Sequence, residues 1–353
     1  MINKHYICDI KKKELAYTDI FHYLNIALII KEKKQDMNRK RFIFQVLTVC
    51  MFFVISCTAA YSMTSADDGK GYTRTELLKN GNFESWTTKN IKESGLLGGK
   101  TVNVMGLGSP WGTSNVWAKI CGITKTNVSL YRDEHPGNGH CVKLYSQIVE
   151  AKVLGIINIR VLAAGSLYLG DLEMPVRTVK NPQTKQNSGM PFTKRPKYLV
   201  MDYKTNIIKG NRIRQNGMTK GSEVKGQDMA DCVLYLQKRW EDAKGNIYAR
   251  RIATLVKRFD KSCEWTKDAS FKIYYGDITH DKFYNSAWGL TKGETTKYAR
   301  NSKGDMVPIK EVGWGDADET PTHLVLQFAS SYDGAYIGSE GNTLWIDNIR
   351  LGY

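Results

Sequence analysis

Residues Cys232–Glu241 read CVLYLQKRWE, and their alternation is the clearest indication of the fold. The apolar positions on one face are Cys232, Leu234, Leu236 and Trp240. The opposite face carries Val233, Tyr235, Gln237, Arg239 and Glu241. A period of two is that of a β-strand, and one apolar face opposed to a polar face is typical of an antiparallel sheet that covers a core on one side. We therefore expect the second face to lie in solvent or to bind a ligand.

Other segments share this character, being rich in Val, Ile, Leu, Tyr and Phe between Gly, Asn, Asp or Lys clusters. With Met229–Trp240 they are His140–Val149, Leu154–Leu162, Lys197–Tyr203, Asn246–Val256, Ser270–Tyr275, His323–Ser330 and Thr343–Leu351. The stretch Ile247–Phe259 is ambiguous between helix and strand. Since no long helical period has caps at both ends, the pattern predicts an all-β sandwich or barrel with few helices. Two irregular stretches, 178–196 and 277–321, interrupt it.

Alternation assigns faces in two more strands. In Lys197–Lys204 the side chains expected in the core are Leu199, Met201 and Tyr203. In His323–Ser330 they are Leu324, Leu326 and Phe328, with Gln327 on the opposite face.

The composition fits a folded domain with a basic surface. The chain has 353 residues, of which 42% are hydrophobic and 24% charged, so that it can bury a sizeable core and is not globally disordered. The net charge is +16; residues 1–62 hold ten Lys/Arg and five Asp/Glu, which leaves 41 and 30, or +11, for residues 63–353. No zinc-finger spacing or RNA-binding aromatic signature accompanies this charge, so we expect no nucleic-acid partner.

Residues 37–62 have the pattern of a secretory signal. A basic segment after Met37 is followed by the apolar run Phe42–Ile55. The sequence VISC ending at Cys57 resembles a bacterial lipobox, whose cysteine is lipidated; a cut after Ser62 is the alternative. We expect a lipid on Cys57 to hold the protein at an envelope membrane, in the outer membrane of the cell.

The remaining boundaries follow from this signal. Residues 1–36 precede it and are interpreted as an upstream extension, with translation beginning at Met37; a single uncleaved anchor helix is the alternative. Residues 63–75 are small and polar and are expected to form a tether to a domain at 76–353. The domain's cysteines are Cys121, Cys141, Cys232 and Cys263, for which disulfides and buried free thiols are both open.

The two ends of the domain resemble those of secreted carbohydrate-binding jelly rolls. The domain opens with LKNGNFESW at Leu78–Trp86 and closes with NTLWIDNIRL at Asn342–Leu351. In such families the opening Glu and closing Asp help to bind a structural calcium ion, which implies Glu84 and Asp347 here. If Asp347 shares a face with Trp345, Ile349 and Leu351, its carboxylate needs a partner or a metal.

The rest of the domain resembles a more specific family, the putative carbohydrate metabolism domain of secreted Bacteroidetes proteins, over most of residues 110–353. The segments that carry the resemblance are Ala163–Gly170, Gly189–Lys197, Met201–Lys204, Asp231–Trp240 and Gly338–Asp347. The resemblance implies a jelly-roll-like β-sandwich of antiparallel strands, an envelope lipoprotein and a link to carbohydrate. It supplies no catalytic residues.

Catalytic motifs are missing from the sequence. There is no H-E-x-x-H, G-x-S-x-G or phosphate-binding loop. Glu241 and Asp202 could converge as the carboxyl pair of a glycosidase, but Lys204 and Arg239 could neutralise them, and surface ion pairing is the favoured interpretation.

Binding residues are easier to name, because sugar rings stack on aromatic side chains and sugar hydroxyls bond to Arg, Gln and carboxylates. The candidates are Tyr235, Gln237, Arg239, Glu241, Tyr274, Gln327, Trp288 and Trp314. Trp111 and Trp117 also lie in glycine-bearing contexts suited to a rim. The sequence thus favours a carbohydrate-binding protein of a glycan-utilisation system whose partner is a glycan or polysaccharide. A β-sandwich glycoside hydrolase or lyase, and a structural or adhesion protein, are the alternatives.

Overall fold

A computed structural model describes residues 71–95, 99–120, 122–153, 157–177, 182–217 and 221–353. The predicted extension, signal and Cys57, most of the tether, and Cys121 lie outside these residues. The first thirteen strands are β1 (Thr75–Leu77), β2 (Trp86–Lys92), β3 (Thr101–Leu107), β4 (Trp111–Thr113), β5 (Val116–Ile120), β6 (Ile123–Asn127), β7 (Leu130–Glu134), β8 (His140–Tyr145), β9 (Gln147–Val153), β10 (Ile157–Ala163), β11 (Ser166–Leu172), β12 (Gln186–Ser188) and β13 (Met190–Pro191).

The second half of the chain contains longer strands. They are β14 (Tyr198–Asn206), β15 (Arg212–Arg214), β16 (Asn216–Gly217), β17 (Ser222–Val224), β18 (Ala230–Glu241), β19 (Ile247–Phe259), β20 (Cys263–Lys272), β21 (Tyr274–Tyr275), β22 (Tyr298–Arg300), β23 (Met306–Trp314), β24 (His323–Ala329), β25 (Ile337–Gly338) and β26 (Thr343–Gly352). Short 3₁₀ turns lie at Pro182–Lys185, Ser286–Trp288 and Gly293–Thr295. Within the described part of the chain, no helix is both long and apolar enough to cross a membrane.

Two large sheets enclose one core. The smaller has the order β20-β14-β26-β8-β7, with β1 beside β26, and the larger includes β24, β18, β19 and β23. Leu199 and Met201 from the first sheet, and Leu234, Leu326 and Phe328 from the second, belong to one buried apolar cluster. The prediction of an all-β sandwich is therefore confirmed, and so is the alternation assigned to β14, β18 and β24, except at Trp240, which is exposed.

The larger sheet closes on itself. Its pairings run β24-β18-β19-β23-β22-β12-β11, and β11 pairs again with β24 through Tyr168 and Gln327. Such a circuit encloses the sheet face that lies opposite the main core. The sequence could not indicate this closure, because it depends on pairing between strands more than 150 residues apart.

The ambiguous and irregular stretches also take defined forms. Ile247–Phe259 is entirely strand β19, and the stretch 277–321 contains β23, which runs parallel to β19. The expectation of an irregular 277–321 was therefore wrong at this strand. Pro308 and Gly313 interrupt its apolar pattern, although Val307 and Ile309 still pack with Ile247.

The opening segment meets the closing strand, although it is not itself a strand. The Leu78 amide donates to the Ile349 carbonyl at 3.0 Å, and the Ile349 amide donates to the Gly81 carbonyl at 2.9 Å. Cys141, Cys232 and Cys263 are free thiols, and the first two are buried.

Candidate functional site

A groove of about 600 Å³ lies between the hairpin β2–β3, the strands β4 and β5, and the segment from β11 to β13. Its apolar wall includes Trp111, Trp117, Met105, Leu172 and Met174. Its polar side chains include Thr87, Thr88, Lys89, Asp171 and Asn187. An apolar concave surface with a few polar groups is the usual composition of a small-molecule site.

Buried hydrogen bonds fix the floor of this groove. Asn115 is 2% exposed, and its amide nitrogen donates to the carbonyls of Met105 and Leu130 at 2.8 and 2.7 Å. Its amide oxygen accepts from the Leu130 amide. The Trp111 indole donates to the Lys79 carbonyl at 2.9 Å. The wall therefore does not need a ligand to hold its shape.

Trp117 is the half-buried ring of the groove. Backbone bonds hold its strand against the segment after β11, since the Val176 amide donates to the Trp117 carbonyl at 3.0 Å. The Lys89 ammonium lies 5.4 Å from the centre of the indole ring. The indole nitrogen of Trp117 is buried, so what the ring offers a ligand is a stacking surface beside a cation.

The polar side of the groove contains an acid–amide pair. The Asn187 amide donates to Asp171 Oδ2 at 2.7 Å across two neighbouring strands. Asp171 is the one carboxylate among the described residues that line the groove. A carboxylate beside an amide can accept hydrogen bonds from, and donate them to, the hydroxyl groups of a ligand.

The face predicted from Tyr235, Gln237 and Arg239 is enclosed instead of open. Tyr235 is 5% exposed and Gln237 is fully buried. Trp288 and Ala287 pack over Tyr235, Val233 and Val325, on the face that the closed sheet surrounds. The expectation that this face lies in solvent was therefore wrong, because alternation shows which side chains share a face and not what covers it.

An ion pair that the sequence analysis missed organises this enclosed face. Arg251 and Glu311 have fully buried side chains, and Arg251 Nε donates to Glu311 Oε1 at 2.6 Å. Gln237 donates to the same oxygen at 2.6 Å, and Thr291 donates to Oε2 through its amide and its hydroxyl. Burial alone would raise the pKa of Glu311, but Arg251 and these donors hold it below its ordinary value.

The other predicted residues join or border this network. Arg239 Nε donates to the Gln237 amide oxygen at 2.8 Å, and Lys297 donates to Gln327 at 2.6 Å. Burial lowers the pKa of Lys297 to about 8. The Arg251 guanidinium lies 3.5 Å from the Tyr235 ring centre and 5.9 Å from that of Trp314.

Tyr274 and Glu241 are the candidates that remain to be placed. Tyr274 and Trp288 form an edge-on pair at 5.7 Å. Glu241 lies apart at the exposed end of β18, where Ser302 donates to both of its oxygens. The pairing of Glu241 with Asp202 does not occur, because Asp202 is buried in the other sheet beside Asn348 and Arg350.

A β-bulge decides the position of Asp347. Asn348 has φ of 52°, and the register with β14 shifts between Val200 and Asp202. Ile346 and Ile349 are therefore both in the core, whereas Asp347 lies on the opposite side of the sheet. The expectation that Asp347 shares a face with Ile349 and Leu351 was wrong for this reason.

Asp347 is nevertheless fully buried, and hydrogen bonds satisfy it. His135 Nδ1 lies 2.7 Å and Asn138 Nδ2 3.0 Å from Oδ2, and the Asn348 amide donates to Oδ1 at 2.7 Å. Burial raises the pKa of Asp347. Ligand atoms of His135, Asp202 and Asp347 lie within 4.8 Å of one another.

Glu84, the other predicted calcium ligand, accepts from the His140 amide at 2.8 Å and contacts His140 Nδ1. These contacts account for both carboxylates without an ion, and a calcium ion stays a prediction.

Sequence reasoning named Trp111 and Trp117 only for their glycine-bearing contexts and missed Asp171, Asn187 and Lys89. No local signal marked Asp171, because a period of two places it on the same face of β11 as buried Leu167 and Leu169. Glu311 carried no signal either, since its strand was not expected.

Comparison with curated proteins gives no match. Two similar solved structures are described as putative glycoside hydrolases. One, from Bacteroides thetaiotaomicron, is 18% identical over 75% of this chain and 70% of that chain, with a TM-score of 0.41. The other, from Bacteroides vulgatus, is 16% identical over 77% of this chain and 96% of that chain, with a TM-score of 0.42. A family model described as "putative carbohydrate metabolism domain" matches residues 82–352, and the chain therefore belongs to this family.

Proposed function

We propose that this protein is an envelope-anchored carbohydrate-binding protein of a glycan-utilisation system, and that the groove around Trp117 holds the glycan. The observation that supports this most is the combination of a half-buried indole with the Asp171–Asn187 pair in one preformed groove. Membership of a carbohydrate metabolism family supports the class of ligand.

The geometry suggests how a sugar is held. The apolar face of a pyranose ring would lie on Trp117 beside Met174, which is 43% exposed. Neighbouring hydroxyls would bond to the Asp171 carboxylate, which can accept from two donors, and to Lys89, which donates. A preformed floor lowers the entropy that binding must overcome.

Binding is tested by affinity electrophoresis and calorimetry on soluble glycans with a matched pair of variants. We expect Trp117→Ala to weaken binding at least about tenfold, the factor that corresponds to roughly 1.4 kcal/mol. Leu77→Ala, which removes an exposed apolar side chain elsewhere, should leave it unchanged. Equal affinity of Trp117→Ala and wild type would show that the groove is not the site.

The same titration distinguishes binding from catalysis. If reducing ends accumulate, the protein is a hydrolase, and unsaturated products would indicate a lyase. Because the described groove residues include a single carboxylate, we expect no new reducing ends.

Anchoring through Cys57 is a separate part of the proposal and rests on the sequence of residues 37–62. Growth with a labelled fatty acid should label the protein and leave Cys57→Ser unlabelled. Label that persists in Cys57→Ser would contradict a lipid at this position.

A further inference from the structure

A second exposed aromatic surface lies on the larger sheet, across β18, β19 and β23. Trp240 pairs with Tyr248, and Tyr248 pairs with Lys310. The two rings lie 5.8 Å apart with an angle of 18° between their planes, and the Lys310 ammonium is 5.3 Å from the centre of the Tyr248 ring. We call these three residues the Trp240 face. None of them lines the groove.

Trp240 is exposed although the alternation of β18 places it on the core side of that strand. Trp240 follows Leu234 and Leu236 on the same side of β18, and both leucines are fully buried. Trp240 itself is 44% exposed and, like Tyr248, is not among the side chains that pack on the core. Trp240 thus stacks on a half-buried Tyr248 and keeps part of its ring in water, and an exposed aromatic surface of this kind can bind a ligand.

The charges beside the Trp240 face are close to balance. Lys238 and Arg250 both pair with Glu319 Oε1, at 3.0 and 2.8 Å. The Tyr248 hydroxyl donates to Asp242 at 3.4 Å. The cations are thus Lys238, Arg250 and Lys310, and the carboxylates are Glu319 and Asp242. The local net charge is +1, on a chain whose net charge is +16. This balance favours a neutral partner that stacks and forms hydrogen bonds over a polyanion.

We propose that the Trp240 face is a second glycan contact, which stacks against a neutral polysaccharide while the groove holds another part of a chain. This inference rests on the proposed function and specifies its ligand as a polymer rather than a short oligosaccharide. A chain that reaches both surfaces gains affinity, because the second contact forms at a high effective concentration.

The test compares each polymer with a short fragment of its backbone. The full chain is titrated with xylan, galactomannan, dextran and laminarin, and with a hexasaccharide from each backbone. For each polymer bound, we expect Trp240→Ala to lower affinity by about a hundredfold, the lower end of the gain that two linked contacts provide. The same variant should bind the hexasaccharide as wild type does.

The control variants separate this proposal from the proposed function. Trp117→Ala should weaken both ligands, Trp240→Phe should keep part of the polymer affinity, and Leu77→Ala should change nothing. Unchanged polymer affinity in Trp240→Ala refutes the second contact and leaves the groove intact. Unchanged hexasaccharide affinity in Trp117→Ala refutes the groove.

Other occupants of the Trp240 face give distinct results. A wild-type dimer in sedimentation that Trp240→Ala converts to a monomer would assign the face to a second copy of this chain and overturn the proposal. Binding of polygalacturonate through Trp240, with no neutral polymer bound, would overturn it as well. If no neutral polymer binds wild type, the second contact is refuted; if polygalacturonate does not bind either, the proposed glycan groove is refuted as well.

Discussion

Replacement of Glu311 by Gln should destabilise the protein strongly, because Glu311 is the carboxylate that neutralises a buried arginine. The side chains of Arg251 and Glu311 are both fully buried, and Arg251 donates to both oxygens of Glu311. In Glu311→Gln the guanidinium keeps its charge and loses its counter-ion. Removal of one partner from a buried ion pair costs about 3–5 kcal/mol.

The loss also has a structural consequence. Thr291 donates to Glu311 Oε2 at 2.6 Å from its amide and 2.9 Å from its hydroxyl, and this contact ties the segment that covers the enclosed face to β23. The side-chain amide of a glutamine at position 311 has an NH₂ group in place of one carboxylate oxygen. That NH₂ group would face N–H or O–H donors and could not accept their hydrogen bonds. We therefore expect faster proteolysis within residues 277–297 in addition to lower stability.

The measurement is urea unfolding of wild type and variant from pH 7 to pH 3. Because the folded pKa of Glu311 lies below its ordinary value, its contribution is complete above the unfolded pKa and is lost as pH falls through the folded pKa. The difference in the free energy of unfolding between wild type and Glu311→Gln should thus be largest at pH 7 and decrease below about pH 4.3.

Glu241→Gln is the matched control for this experiment. Glu241 is exposed and bonds only to Ser302 among the contacts described, so its replacement should cost about 1 kcal/mol or less. A gap for Glu311→Gln below about 1 kcal/mol, or one that stays constant from pH 7 to pH 3, would refute the reasoning.

Two further predictions concern packing and metal. A Cβ at Gly165 would lie 2.3 Å from the Ser129 carbonyl and 2.5 Å from the Tyr145 amide, so Gly165→Ala should cost about 1–3 kcal/mol or more in urea unfolding. Gly217→Ala, with open space around its Cβ, should cost less than about 1 kcal/mol, and equal losses would contradict the argument. Calcium at Asp347 is tested by comparing the melting temperature in excess calcium with that in a chelator. Calcium at a hundred times its dissociation constant would add about 2.7 kcal/mol to the free energy of unfolding, and Asp347→Asn would remove this gain. An unchanged melting temperature would mean that His135, Asn138 and Asn348 hold Asp347 without an ion.

The sequence predicted the sandwich because local alternation is enough to define a buried face. In β14, β18 and β24 the residues expected in the core form it or pack against it, except Trp240 at the end of β18. The bulge at Asn348 was not predictable, since an L-residue at φ of 52° leaves no trace in an apolar pattern. Strand β23 was missed because Pro308 and Gly313 mask a pattern that the parallel neighbour β19 supports.

The groove was largely beyond prediction for a related reason. Its side chains come from β2, β3, β4, β5 and the segment around β12; β4 has only three residues, and β2 is mostly polar, so that no apolar period of two assigns a face there. Asp171 and Asn187 meet through the register of β11 with β12, and no local rule specifies that register. Trp117 could be named as an aromatic in a loop-like context, but not as the neighbour of Lys89.

The enclosed network changes how variants of this protein should be interpreted. Tyr235, Gln237 and Arg239 have the composition of a sugar site, and a loss of binding in Arg239→Ala would by itself suggest that the ligand lies there. Arg239 instead bonds to Gln237, which bonds to Glu311, so that its removal disturbs the stability of the whole sheet. Only variants whose unfolding free energy matches wild type can locate the glycan. Trp117 and Trp240 meet this condition best, because both rings are partly exposed and neither contributes to the buried ion pair.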